Sequence, residues 1–83
     1  MNQAQFVEMM VAAMDSEIIG VAIIASEAGD NAADTVGFAN RADATGNYSQ
    51  AFIKAWIDSA QIMLDCSEYR SAEAKAFFAS FGM

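Results

Sequence analysis

Seven apolar residues near the amino terminus keep a helical step without interruption. Val7, Val11, Met14, Ile18, Val21, Ala25 and Ala28 are separated by 4, 3, 4, 3, 4 and 3 positions, which is the spacing of one stripe along an α-helix. The same stretch contains a competing signal. Ile18, Ile19, Val21, Ile23 and Ile24 crowd between Glu17 and Glu27, and taken alone such a β-branched run reads as a buried strand. The strand reading accounts for eight residues. The helix reading accounts for about 27 with one rule, and it supplies both ends: Asn2 with Gln5 as a capping box and Gly29 as the residue just past the last turn. The sequence therefore predicts an all-α fold opening with a long N-terminal helix.

That helix raises a question of size. About 27 residues rising 1.5 Å each make a rod of about 40 Å, whereas a compact chain of 83 residues has a radius of gyration of about 12 Å and is roughly 30 Å across. Either the rod breaks at Asp15-Ser16, both good N-caps, or it outgrows the monomer and pairs with a second chain. The unbroken stripe favours pairing, through Val7, Val11, Met14, Ile18, Val21 and Ala25. Gln5, Glu8, Ala12 and Asp15 follow the opposite, polar face. Beyond Asp15 that face becomes Ile19, Ala22 and Ser26, so the second half is apolar nearly all round and calls for burial from several sides. Ala12, Ser16 and Gly20 form a row of small residues where another helix could approach.

The rest of the chain reads as helices too. It contains no proline, and β-rich folds need turn punctuation every 8–12 residues, which is sparse here: Gly29-Asp30 and Asp43 to Ser49. Asp30 is expected to cap a weaker helix over 31–42, with Val36 and Ala39 inward and Gly37 weakening it. Residues 42–49 form a loop. Ser49 caps a strong helix reaching Asp65. There Gln50, Lys54, Asp58, Gln61 and Asp65 make a wet stripe, and Phe52, Ile53, Trp56, Ile57, Ala60, Met63 and Leu64 a wide apolar face. A last helix starts near Ser67 or Ser71 and carries Phe77, Phe78 and Phe81 before Gly82. The expectation is one domain over 1–83, a small bundle of three or four helices.

Most chemistry is excluded by what the chain lacks. With no histidine, the usual zinc and copper ligands and the usual catalytic base are missing. Cys66 is the only cysteine, so no internal disulfide forms, and its neighbours Asp65 and Glu68 are the wrong sign to favour a thiolate. The five glycines stand singly and make no phosphate cradle. Loops begun at Asp30 or Asp43 fail as calcium loops, with Thr35 where glycine is needed and Arg41 or Lys54 where the closing glutamate belongs. Asp30 and Asp34 read instead as favourable charges in a first helical turn. No enzyme, cofactor or metal site is expected. The amino terminus lacks a basic signal region and no apolar run reaches 18–20 residues, so the expected setting is soluble and cytoplasmic. Asn47-Tyr48-Ser49 matches a glycosylation sequon only by chance in that setting.

What remains is charge. The net charge is −7, and it is lopsided. Residues 1–40 carry Glu8, Asp15, Glu17, Glu27, Asp30 and Asp34 with no Lys or Arg, while residues 41–83 carry five acids against four basic side chains. Such a field repels nucleic acid and anionic lipid and attracts a basic protein surface. In composition the chain resembles phage-encoded inhibitors of host nucleic-acid machinery, anti-CRISPR proteins among them. The likeness rests on no motif and carries no residue assignment. It implies a protein-binding module that blocks a Lys/Arg groove; the uneven charge, and not the likeness, points to the six N-terminal acids as the residues that dock. The other expectation is a self-associating helical assembly protein, a homodimer through the long stripe.

Overall fold

The computed structural model describes residues 1–37, 46–66 and 71–83. These form four helices: α1 (Gln3–Asp15), α2 (Val21–Val36), α3 (Gln50–Asp65) and α4 (Ala72–Ala79). The all-α bundle is as the sequence predicts, and the radius of gyration is 12.1 Å.

The long N-terminal helix is not present; it divides at residues 16–20. Two local interactions cause the break. The Ser16 backbone leaves helical geometry at φ −72°, ψ 138°, and its Oγ accepts the Ile18 N–H at 3.1 Å. Such a side chain offers the backbone an alternative to continuing the helix. Gly20 then sits in the left-handed region at φ 92°, where a Cβ is penalised, and its carbonyl accepts the Ile24 N–H at 2.9 Å to begin α2. The row Ala12, Ser16, Gly20 therefore does not lie along one helix. The predicted stripe stays in phase through the sequence, but the elbow gives its two halves different surroundings.

Starting late, α2 also ends late. Gly29 does not stop it, and neither does Asp30 start a new helix. Instead α2 runs 16 residues to Val36, and Gly37, at φ 83°, closes it by donating its N–H to Ala33 O at 2.8 Å. Gly29 lies in mid-helix beside Trp56 with room for a side chain: a Cβ built there would lie 4.0 Å from the indole Nε1, an ordinary contact. Ala39, Asp43, Ser67 and residues 42–45 of the expected loop lie outside the described residues.

The starts of α1, α3 and α4 are capped as the sequence predicts, whereas α4 ends at Ala79, short of the expected end at Phe81. Asn2 and Gln5 form the expected capping box. Ser49 Oγ accepts the Phe52 N–H at 3.0 Å, and Ser71 Oγ accepts the Ala74 N–H at 3.0 Å. Each side chain satisfies an N–H that a helix start leaves without an internal partner.

One apolar cluster draws on all four helices. Its centre is aromatic. Phe6 of α1 stands edge-on to Tyr48, Phe52 and Trp56, at 5.2, 6.0 and 5.5 Å between ring centres. Trp56 then meets Phe78 at 6.0 Å, and Phe78 meets Phe77 at 5.2 Å. Edge-to-face pairs at these spacings add to the area the rings bury. The most extensive packing is between α2 and α3, with α1 laid across them. On α2 the buried positions are Val21, Ile24, Ala25, Ala28, Ala32 and Ala33; four of these are alanine, which lets the α3 aromatics come close to the α2 backbone.

Candidate functional site

The part of the molecule that the core leaves over is on α1. Its buried residues are Phe6, Met9 and Ala13, joined by the half-buried Met10. At 100° per residue, Val7, Val11 and Met14 cluster on a line about 110° around the helix from that buried centre. They are exposed, Val11 at 59% and Met14 at 57% of full accessibility, with Val7 at 38%. So α1 has two neighbouring apolar stripes, and the bundle covers only one. The covered stripe holds the phenylalanine, which buries more area than a valine would.

The stripe read from the sequence as one self-association surface is therefore divided. Val7, Val11 and Met14 face outward and Ile18 is half-buried in the elbow, while Val21 and Ala25 are fully buried against the chain's own core. Exposed large apolar residues concentrate in the same region: Val7, Val11, Met14, Ile19 and Ile23 all precede residue 24, and Ile62 on α3 is the other one among the described residues.

Three of the acids border this region on α1 and the elbow, and three lie on α2. Glu8 and Asp15 are seven residues apart on the outer side of α1, next in angle to Val11. Glu17 is exposed in the elbow. On α2, Glu27, Asp30 and Asp34 step by 3 and 4 along the face turned away from the core, with Ile23 at its head; Asp30 and Asp34 are exposed and Glu27 half-buried. The six acids thus form two rows on two helices joined by Glu17. Among the described residues, no three His, Cys, Asp or Glu side chains converge to hold a metal ion.

Helix stability does not account for where these acids sit. Acids stabilise a helix N-terminus and oppose its C-terminus. Neither α1 nor α2 has an acid in its first turn. Asp15 is the last residue of α1, and Asp34 lies in the last turn of α2. The reading of Asp30 and Asp34 as first-turn charges is corrected by the start of α2 at Val21. Lys54–Asp58 at 2.8 Å and Lys75–Asp65 at 4.0 Å pair acids with bases within the second half of the chain.

A groove of about 510 Å³ runs between the second half of α2 and most of the length of α3. It is lined by Asn31, Val36, Lys54, Asp58, Ser59 and Ile62 among others. Asn31 Nδ2 donates to Ser59 Oγ at 2.9 Å across the seam. Cys66, exposed, ends α3 and gives its N–H to the carbonyls of Ile62 and Met63. Trp56 is a core residue, and its buried Nε1 has no hydrogen-bond partner among the described residues. Phe78 is likewise core, with Phe77 and Phe81 half-buried against it.

No helix among the described residues is long and apolar enough to cross a membrane. Comparison with protein-family models, with curated proteins and with solved structures found no match to this chain.

Proposed function

We propose that the chain is a non-enzymatic protein-binding module that works in the cytoplasm by engaging a basic surface of a partner. One observation carries the reading. Six acids occupy the outer sides of α1, the elbow and α2, no Lys or Arg occurs in residues 1–40, and helix stability does not call for acids at Asp15 and Asp34. A partner surface rich in Lys and Arg supplies the complementary charge. Where that surface normally takes nucleic acid, occupying it is inhibition, the mode suggested by the compositional likeness to phage-encoded inhibitors.

The test is retention of the chain on immobilised basic nucleic-acid-binding proteins at about 50 and about 500 mM salt, since screening weakens exposed charge pairs over this range. Binding that falls with salt and is displaced by oligonucleotide supports the reading. Binding equal at both salts, or none at low salt, removes it.

Self-association is the second reading, and the exposure of Val7, Val11 and Met14 favours it. Val21 and Ala25 are no part of it in the folded chain. A monomer mass by sedimentation across micromolar concentrations would eliminate it.

A further inference from the structure

We infer that the outer stripe of α1 is the docking face itself, and that it takes a cationic amphipathic helix: one with an apolar stripe edged by Lys or Arg. The inference rests on the basic-partner reading and adds to it the face and the shape of the partner.

Three observations select this occupant. Val7, Val11 and Met14 stand at i, i+4 and i+7, the spacing with which one helix seats against another. They are exposed in a chain that has already enclosed a larger apolar residue, Phe6, one position away. Their outer edge is acidic, with Glu8 and Asp15 about two turns apart and Glu17 just beyond the helix end. An apolar line with a negative border matches an apolar line with a positive one.

A second copy of the chain fits less well. An antiparallel pair of α1 helices would run both Glu8–Asp15 rows along the same edge. A parallel pair would set each row beside Met10 and Gln3. In neither case does α1 supply a cation, and each copy brings a net charge of −7.

The probe is a synthetic helical peptide of about five turns with leucines at helical spacing and lysines flanking them. One control carries glutamate in place of the lysines and a second scrambles the leucines. Binding to the full chain is read by fluorescence anisotropy at about 50 mM salt. The lysine-edged peptide is expected to bind more tightly than both controls. Val11→Asp is expected to weaken it about tenfold or more, as loss of a central apolar anchor does, with unchanged helical dichroism. Val7→Ser with Met14→Ser is the second variant and should act in the same direction.

Three results would overturn the inference, and they are distinguishable. If Val11→Asp binds normally while Asp30→Asn with Asp34→Asn does not, the basic partner sits on α2 and only the assignment to α1 falls. If the chain sediments as a dimer that Val11→Asp separates, a second copy covers the face. If no lysine-edged peptide binds the parent at low salt, the basic-partner reading falls as well.

Discussion

Helices α1 and α3 are built from similar fractions of apolar residues and end up in opposite situations. On α3 the apolar residues occupy one side. Phe52, Ile53, Trp56, Ala60, Met63 and Leu64 are buried, and Gln50, Lys54, Asp58, Gln61 and Asp65 are exposed. Its amphipathic pattern and its packing agree, apart from Ile62. On α1 apolar residues extend around more than half the circumference, and the bundle covers only the sector of Phe6, Met9 and Ala13. The fold encloses the α1 sector that meets its aromatic centre and leaves the neighbouring one exposed. The rest of the α1 apolar surface is surplus to folding.

The contrast between the two helices breaks most easily at Phe6. Phe6→Ala removes the ring that joins α1 to Tyr48, Phe52 and Trp56. A loss of about 3–5 kcal/mol is expected, a large share of the total stability of so small a chain, read from the urea midpoint. Next comes the elbow that separates the two halves of the stripe. Gly20→Ala places a Cβ in the left-handed region and should cost about 1–2 kcal/mol; an unchanged melting temperature would mean that the elbow adjusts without strain. Gly29→Ala sharpens the picture in the other direction. The new Cβ meets Trp56 at ordinary contact distance, so the gain in helix propensity should appear as about 0.5–1 kcal/mol of added stability. The smallest effect is at Asp15. Asp15→Asn relieves an acid at the end of α1 and should stabilise by about 0.3–0.5 kcal/mol in low salt, while weakening any cationic partner.

Much of this fold was legible because several local signals agreed. For α3, the cap at Ser49, the wet stripe and the apolar face all pointed to the same sixteen residues. The all-α class followed from the missing proline and the helical steps. In α1 the local signals did not suffice. Val7–Val11–Met14 and Phe6–Met9–Ala13 both keep a helical step, and periodicity does not rank them. What ranks them is the set of rings that Phe6 meets, and those rings lie more than 40 positions along the chain. The elbow was hidden for a related reason. A stripe that keeps phase through a break looks continuous, yet Asp15-Ser16 and Gly20 were there as its signals. Gly29 misled because a stop signal means little until the start of the helix is known. Of the candidate site, the acid asymmetry was legible in full. The exposure of Val7, Val11 and Met14 was not, since it depends on which stripe the core takes.

The claim that the outer stripe of α1 stands outside the folding core is tested most directly by a shape-conserving triple variant, Val7→Thr, Val11→Thr and Met14→Gln. These exchanges keep side-chain size and nearly keep helix propensity, so they change little except polarity. Urea unfolding should place the variant within about 0.5 kcal/mol of the parent. A loss approaching that of Phe6→Ala would show instead that the stripe is enclosed and that α1 has no apolar face left over for a partner.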